Sequence, residues 1–129
     1  MSDYKFIHEP RGDGMIEKHI YAIEFDDTIV YKGTMKALPH SIDVLRRLSL
    51  DPHAILILWT SREGNKLEEA LNFCEMKGIA FDRVNKNYCE NETCRKIKAD
   101  IYIDGKGYQG IEGVEKLWTD WWEWMNGKK

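Results

Sequence analysis

The sequence predicts a single α/β domain built on a parallel sheet. Three observations predict it. Apolar, strand-like runs alternate with amphipathic, helix-like stretches, the pattern of strands joined by right-handed helical crossovers. The run Ala54-Ile55-Leu56-Ile57-Leu58-Trp59 is apolar without a break, as a strand covered on both faces should be. The chain has 129 residues, which suits one domain.

The elements follow in order. Residues 1–18 read as an N-terminal arm, with Pro10, Gly12 and Gly14 ahead of the first clear strand, and residues 19–129 read as the domain. The first strand spans roughly Ile20 to Phe25. A helix starts near Pro39, a favourable first-turn residue, and puts Ile42, Leu45 and Leu48 on one face before Asp51-Pro52 ends it. Ala54 to Trp59 is the second strand. A second helix runs from about Gly64 to Lys77, with Leu67, Ala70, Leu71 and Cys74 as its buried stripe and Gly78 as its cap. Ile79 to Val84 reads as a third strand, and Asn85 to Lys98 gives no clear pattern. Ile101-Tyr102-Ile103 is the fourth strand, and a helix from about Ile111 to Met125 closes the chain. That helix holds four of the five tryptophans. They either pack on the sheet or offer surplus apolar surface to a second copy of the chain or another partner.

Composition excludes several functions. Charged residues make up 32% and the net charge is −3, so no basic excess exists to grip a nucleic-acid backbone. No apolar run is long enough to span a bilayer, and Met1-Ser2-Asp3-Tyr4-Lys5 lacks the apolar core of a signal peptide. A cytoplasmic location is therefore expected. Cys74, Cys89 and Cys94 have no paired spacing and read as reduced thiols rather than zinc ligands. Arg11-Gly12-Asp13 matches an integrin-ligand tripeptide, which is chance in such a chain. Gly105-Lys106-Gly107-Tyr108-Gln109-Gly110 matches G-x-G-x-x-G. The residues left after it are too few for the strand and acid that a dinucleotide site needs, so it reads as a loop.

The chemistry concentrates at the strand ends. In a parallel sheet, ligands bind beyond the carboxyl ends of the strands. Strand one delivers Glu24, Asp26 and Asp27; strand two delivers Thr60, Ser61 and Arg62; strand four delivers Asp104. Lys96 and Lys98 lie just before strand four. Clustered carboxylates with oxygen ligands alone suit Mg²⁺, which leaves water positions open for a phosphate.

The segment Glu24-Phe25-Asp26-Asp27-Thr28 resembles the first motif of the haloacid dehalogenase superfamily, Asp-x-Asp-Gly-Thr. Thr60, a lysine and Asp104 follow in the order of that superfamily's remaining motifs. Leu58 to Gly64 and Arg95 to Asp104 are similar to small bacterial and phage members that lack a substantial cap. The resemblance implies a Rossmann-like three-layer domain with no substantial cap. It implies Glu24 as nucleophile and metal ligand, and Asp26 as general acid/base with its carbonyl on the metal. It also implies that Thr60 hydrogen-bonds the phosphoryl oxygens, and Thr60, Ser61 and Arg62 are the expected substrate-binding residues. Lys96, or alternatively Lys98, would offset charge, and Asp104 would complete a Mg²⁺ site.

Three positions depart from the pattern. Glu24 stands where the family has Asp, Asp27 where it has Gly, and Gly105 where it has the second acid of an Asp-Asp pair. The expected function is a Mg²⁺-dependent phosphohydrolase acting on a phosphomonoester. The alternative is a catalytically degenerate relative that binds metal, a phosphorylated ligand or a protein.

Overall fold

A computed structural model describes residues 17–88, 98–107 and 109–127. The expected arm and Lys96, Cys89 and Cys94 lie outside the described residues, apart from the last two positions of the arm. Four strands form one parallel sheet: β1 (His19–Glu24), β2 (Ala54–Trp59), β3 (Arg83–Val84) and β4 (Ile101–Ile103). Their spatial order is β3-β2-β1-β4, so β1 and β2 are central. Among the described residues three helices accompany them: α1 (Ser41–Ser49), α2 (Gly64–Met76) and α3 (Gly110–Met125). The protein is thus an α/β fold of Rossmann-like type, and residues 25–40 join β1 to α1 with no cap domain inserted there.

Alternation along β2 divides its side chains between the two sheet faces. Leu56 and Leu58 join Ile23, Phe25, Val44, Leu45, Ala70, Cys74, Ile103, Val114 and Trp118 in the main core. All three helices contribute to that cluster. Ile55 and Ile57 turn the other way, with Tyr88 and the half-buried Ile20. The unbroken apolar run is explained by this two-sided cover.

Reciprocal side-chain brackets align the strands. Asp82 accepts from the Leu56 amide and donates its own amide to the Leu56 carbonyl. Asp100 does the same at Ile20, and Asn85 joins the Leu58 carbonyl to the Thr60 amide. A carboxylate or amide beside a strand end satisfies backbone groups that the short strands β3 and β4 leave unpaired.

Two boundaries differ from the sequence reading. Pro39 does not open the first helix, which begins at Ser41 after His40 turns through a left-handed conformation (φ 67°). The Ser41 hydroxyl instead donates to the Ile29 carbonyl at 2.9 Å and ties the helix start to the loop after β1. The third strand is only two residues long rather than running from Ile79. Ile79 is spent closing α2: its amide donates to the Cys74 carbonyl, and Gly78 sits at φ 80°.

Candidate active site

The acidic loop is a tight turn around one carbonyl. The amides of Thr28, Ile29 and Val30 all point at the Phe25 carbonyl, at 3.3, 2.9 and 3.2 Å. The turn places Asp27 at φ 59°, a left-handed position that Asp tolerates better than most residues. The Asp27 carboxylate accepts from the Lys32 amide at 2.8 Å, which folds the following loop back. Asp27 thus fills the glycine position through its local hydrogen-bonding ability.

Thr28 locks this turn to the rest of the site. It is fully buried. Its hydroxyl accepts from the Gly105 amide at 2.8 Å and donates to the Asp26 carbonyl at 3.3 Å. Its carbonyl accepts from the Trp118 indole at 2.8 Å. Helix α3 therefore braces the acidic loop from below. Gly105 has a steric reason: a Cβ there would fall on the Asp27 carbonyl. A second acid at that position cannot coexist with this turn.

Glu24 ends the central strand β1, and Asp104 follows the neighbouring β4, so the two converge at the same sheet edge. Glu24 is 9% exposed, and among the described residues its Oε1 has no hydrogen-bond partner. Burial, and then the adjacent Asp104 carboxyl, push the Glu24 pKa up to about 7. Lys106 opposes that shift, with its Nζ 3.5 Å from Glu24 Oε2. Asp104 is itself held, its Oδ1 accepting from the Lys106 amide at 2.9 Å and its amide donating to Gln109 at 3.0 Å.

Asp26 faces elsewhere. Arg62 grips its carboxylate with two bonds, Nε to Oδ2 and Nη2 to Oδ1, both 2.9 Å. The Gly33 amide adds a third at 3.3 Å. Hydrogen bonding to Arg62 holds the Asp26 carboxyl below the usual carboxylate range. The Arg62 guanidinium also lies over the Phe25 ring, 4.8 Å from its centre. Both residues expected to work on the substrate thus engage each other.

Thr60 sits one residue beyond Trp59, the register partner of Glu24. It is buried, and its hydroxyl accepts from the Arg62 amide at 3.1 Å. Ser61 is exposed at the mouth. Lys98 precedes β4 at the amino end of the sheet, and its amide donates to Asn87 at 2.6 Å.

A solved structure of a conserved protein from Bacteroides thetaiotaomicron is similar over most of both chains. Identity is 33%, the match covers 88% of this chain and 93% of the other, and the TM-score is 0.68. The chain belongs to the family of that conserved protein. No protein-family model and no curated protein matches the chain. Membership in this family carries the fold, and the chemistry has to be argued from the site.

The donor set fits a small hard cation. Among the described residues no three His, Cys, Asp or Glu side chains form a ready cage. Mg²⁺ does not need one, because it is held by one or two carboxylates and keeps several waters. Glu24 and Asp104 supply two carboxylates, and the orphaned Glu24 Oε1 supplies an oxygen with no other use. The Asp26 carboxylate is committed to Arg62, which leaves its backbone carbonyl as the third donor that the sequence reading names.

Sequence reasoning missed Lys106, Gln109 and Asn85. Lys106 sat in a glycine-rich stretch read as a plain loop. The signal that could have found it is its position two residues after a strand-end aspartate.

Proposed function

We propose that the protein is a slow Mg²⁺-dependent phosphohydrolase of the haloacid dehalogenase type, acting on phosphomonoesters. The observation that carries this reading is Glu24: a buried carboxylate at the end of a central strand, with one oxygen unpartnered among the described residues and Asp104 beside it. A carboxylate is seldom buried this way without a cation or a reaction to use it.

The cation would offset the charge of Glu24 and Asp104 and polarise a phosphoryl oxygen. A Glu24 carboxylate oxygen attacks phosphorus, and the bond to the leaving oxygen breaks with its electron pair. Water then attacks the acyl phosphate, releasing phosphate and restoring Glu24. The Thr60 hydroxyl would donate to a phosphoryl oxygen, a use compatible with its bond to the Arg62 amide, in which it is the acceptor.

Slowness has two sources. Glu is one methylene longer than Asp, and a displacement on the order of 1 Å costs about 10²-fold. Asp26, ionised in the grip of Arg62, holds no proton for the leaving oxygen. Turnover should therefore favour substrates whose leaving group needs no proton, such as p-nitrophenyl phosphate. The same Asp26–Arg62 pair favours a second reading, a relative that binds Mg²⁺ and phosphate without turnover.

The test is hydrolysis of p-nitrophenyl phosphate with Mg²⁺ by wild type, Glu24→Asp and Glu24→Gln. The expected order is Glu24→Asp above wild type, and Glu24→Gln inactive. A wild type that is fast and slowed by Glu24→Asp contradicts the slow-enzyme account. No turnover by any variant, with Mg²⁺ still bound, selects the second reading.

A further inference from the structure

The loop after β4 presents one side chain to the acidic site. Gly105 is pressed against the Asp27 carbonyl. At Gly107 a Cβ would stand 3.2 Å from Asp104 Oδ2. Between these two glycines, Lys106 reaches across to Glu24 Oε2 at 3.5 Å. Its charge also bears on Asp26, lowering that pKa along with Arg62. The ammonium therefore lies where it acts on Glu24 and Asp26 together.

Among the described residues its bonding is unfinished. A separation of 3.5 Å is an ion pair rather than a short hydrogen bond. The ammonium carries three donors and remains about a third exposed. Among the described residues Arg62 is the other cation near these carboxylates, and it is already spent on Asp26 and on the Lys66 carbonyl. Glu24 divides its two oxygens: Oε2 faces Lys106, and Oε1 is buried with no hydrogen-bond partner among the described residues. A cation on the buried oxygen and an anion against the exposed ammonium would occupy different sides of one carboxylate.

We infer that Lys106 is an anion-contacting residue of this site and captures a dianionic phosphoryl group beside Glu24. The inference rests on the phosphoryl-site reading above but not on turnover. It gives the loop after β4 a part in the charge balance that the resemblance implies for Lys96 or Lys98 before it.

Binding of inorganic phosphate, measured by calorimetry at saturating Mg²⁺, tests it. Mg²⁺ affinity is measured separately for each protein. Lys106→Met should weaken phosphate binding about tenfold or more, the loss of a charged hydrogen bond. It should leave Mg²⁺ binding intact or tighter, because a positive charge has been removed. Lys106→Arg should restore most of the phosphate affinity. Unchanged phosphate affinity in Lys106→Met overturns the inference, as does a parallel loss of Mg²⁺ and phosphate, which marks a purely structural role. A wild type that binds Mg²⁺ but not phosphate overturns it too. Phosphate held through Lys106 without any hydrolysis defeats the enzyme reading alone, and turnover indifferent to Lys106→Met defeats this inference alone.

Discussion

Arg62 holds Asp26 with two 2.9 Å bonds, and both side chains are about nine-tenths buried. The pair joins the loop after β1 to the loop after β2, the two loops that frame the site. Breaking it leaves a buried carboxylate with the Gly33 amide as its remaining bond among the described residues. Arg62→Met should therefore destabilise the fold by about 3 kcal/mol at neutral pH, read from urea midpoints. Asp26 has a lowered pKa, so the pair's contribution is full above the ordinary value of 3.8 and fades as pH falls below it. The penalty of Arg62→Met should shrink in the same range. A variant as stable as wild type at pH 7 would show that the pair is a surface contact of little worth.

How much of this was legible in the sequence depends on range. The strand β2 could be read because Ala54 to Trp59 is apolar throughout, and Glu24 because an acid at a strand end stands out. Asp26 and Arg62 were each seen as site residues, but their mutual bond spans 36 positions, and no local pattern encodes it. Gly105 looked like a lost acid, although its cause is the Asp27 carbonyl, which only the folded turn brings near. Pro39 gave a helix start two residues early because His40 takes a left-handed turn that side-chain type alone does not announce. Lys106 was missed for a related reason: the curl after β4 is held by backbone amides bonding to Thr28, Asp104 and Gln109 side chains, which only the folded loop brings together.

Glu24 makes stability fall as pH rises. Its pKa stands near 7 in the fold against an ordinary 4.5. Below pH 4.5 the group is protonated folded and unfolded, and costs nothing. Between pH 4.5 and 7 the unfolded chain ionises first, and the fold loses about 3 kcal/mol, a loss complete above pH 7. Glu24→Gln removes the charge, so it should match wild type near pH 4 and exceed it by up to about 3 kcal/mol at pH 8. Added Mg²⁺ should narrow the gap at pH 8, because it binds the folded carboxylate of wild type. A gap independent of pH would mean that Glu24 ionises freely.

The tryptophans of α3 divide sharply. Trp118 is fully buried and bonded to the Thr28 carbonyl. Trp121 meets Tyr21 edge-on, and Trp122 stacks on His40 and donates to Asp43 at 3.0 Å. Trp124 is 76% exposed. Trp118→Ala should cost about 3 to 5 kcal/mol, and Trp124→Ala less than about 0.5. A Trp124→Ala variant that changes sedimentation from dimer to monomer would assign that side chain to a second copy of the chain. An unchanged sedimentation coefficient would leave α3 as a brace for the acidic loop.

The central claim is that Glu24 takes a phosphoryl group. It is tested most directly by acid-quenching the protein during turnover of a phosphomonoester with Mg²⁺ and locating covalent phosphate by mass spectrometry. The account predicts an alkali-labile phosphate on Glu24, absent from Glu24→Gln and absent without Mg²⁺. Phosphate released at an equal rate by Glu24→Gln, with no label on Glu24 in wild type, would contradict it.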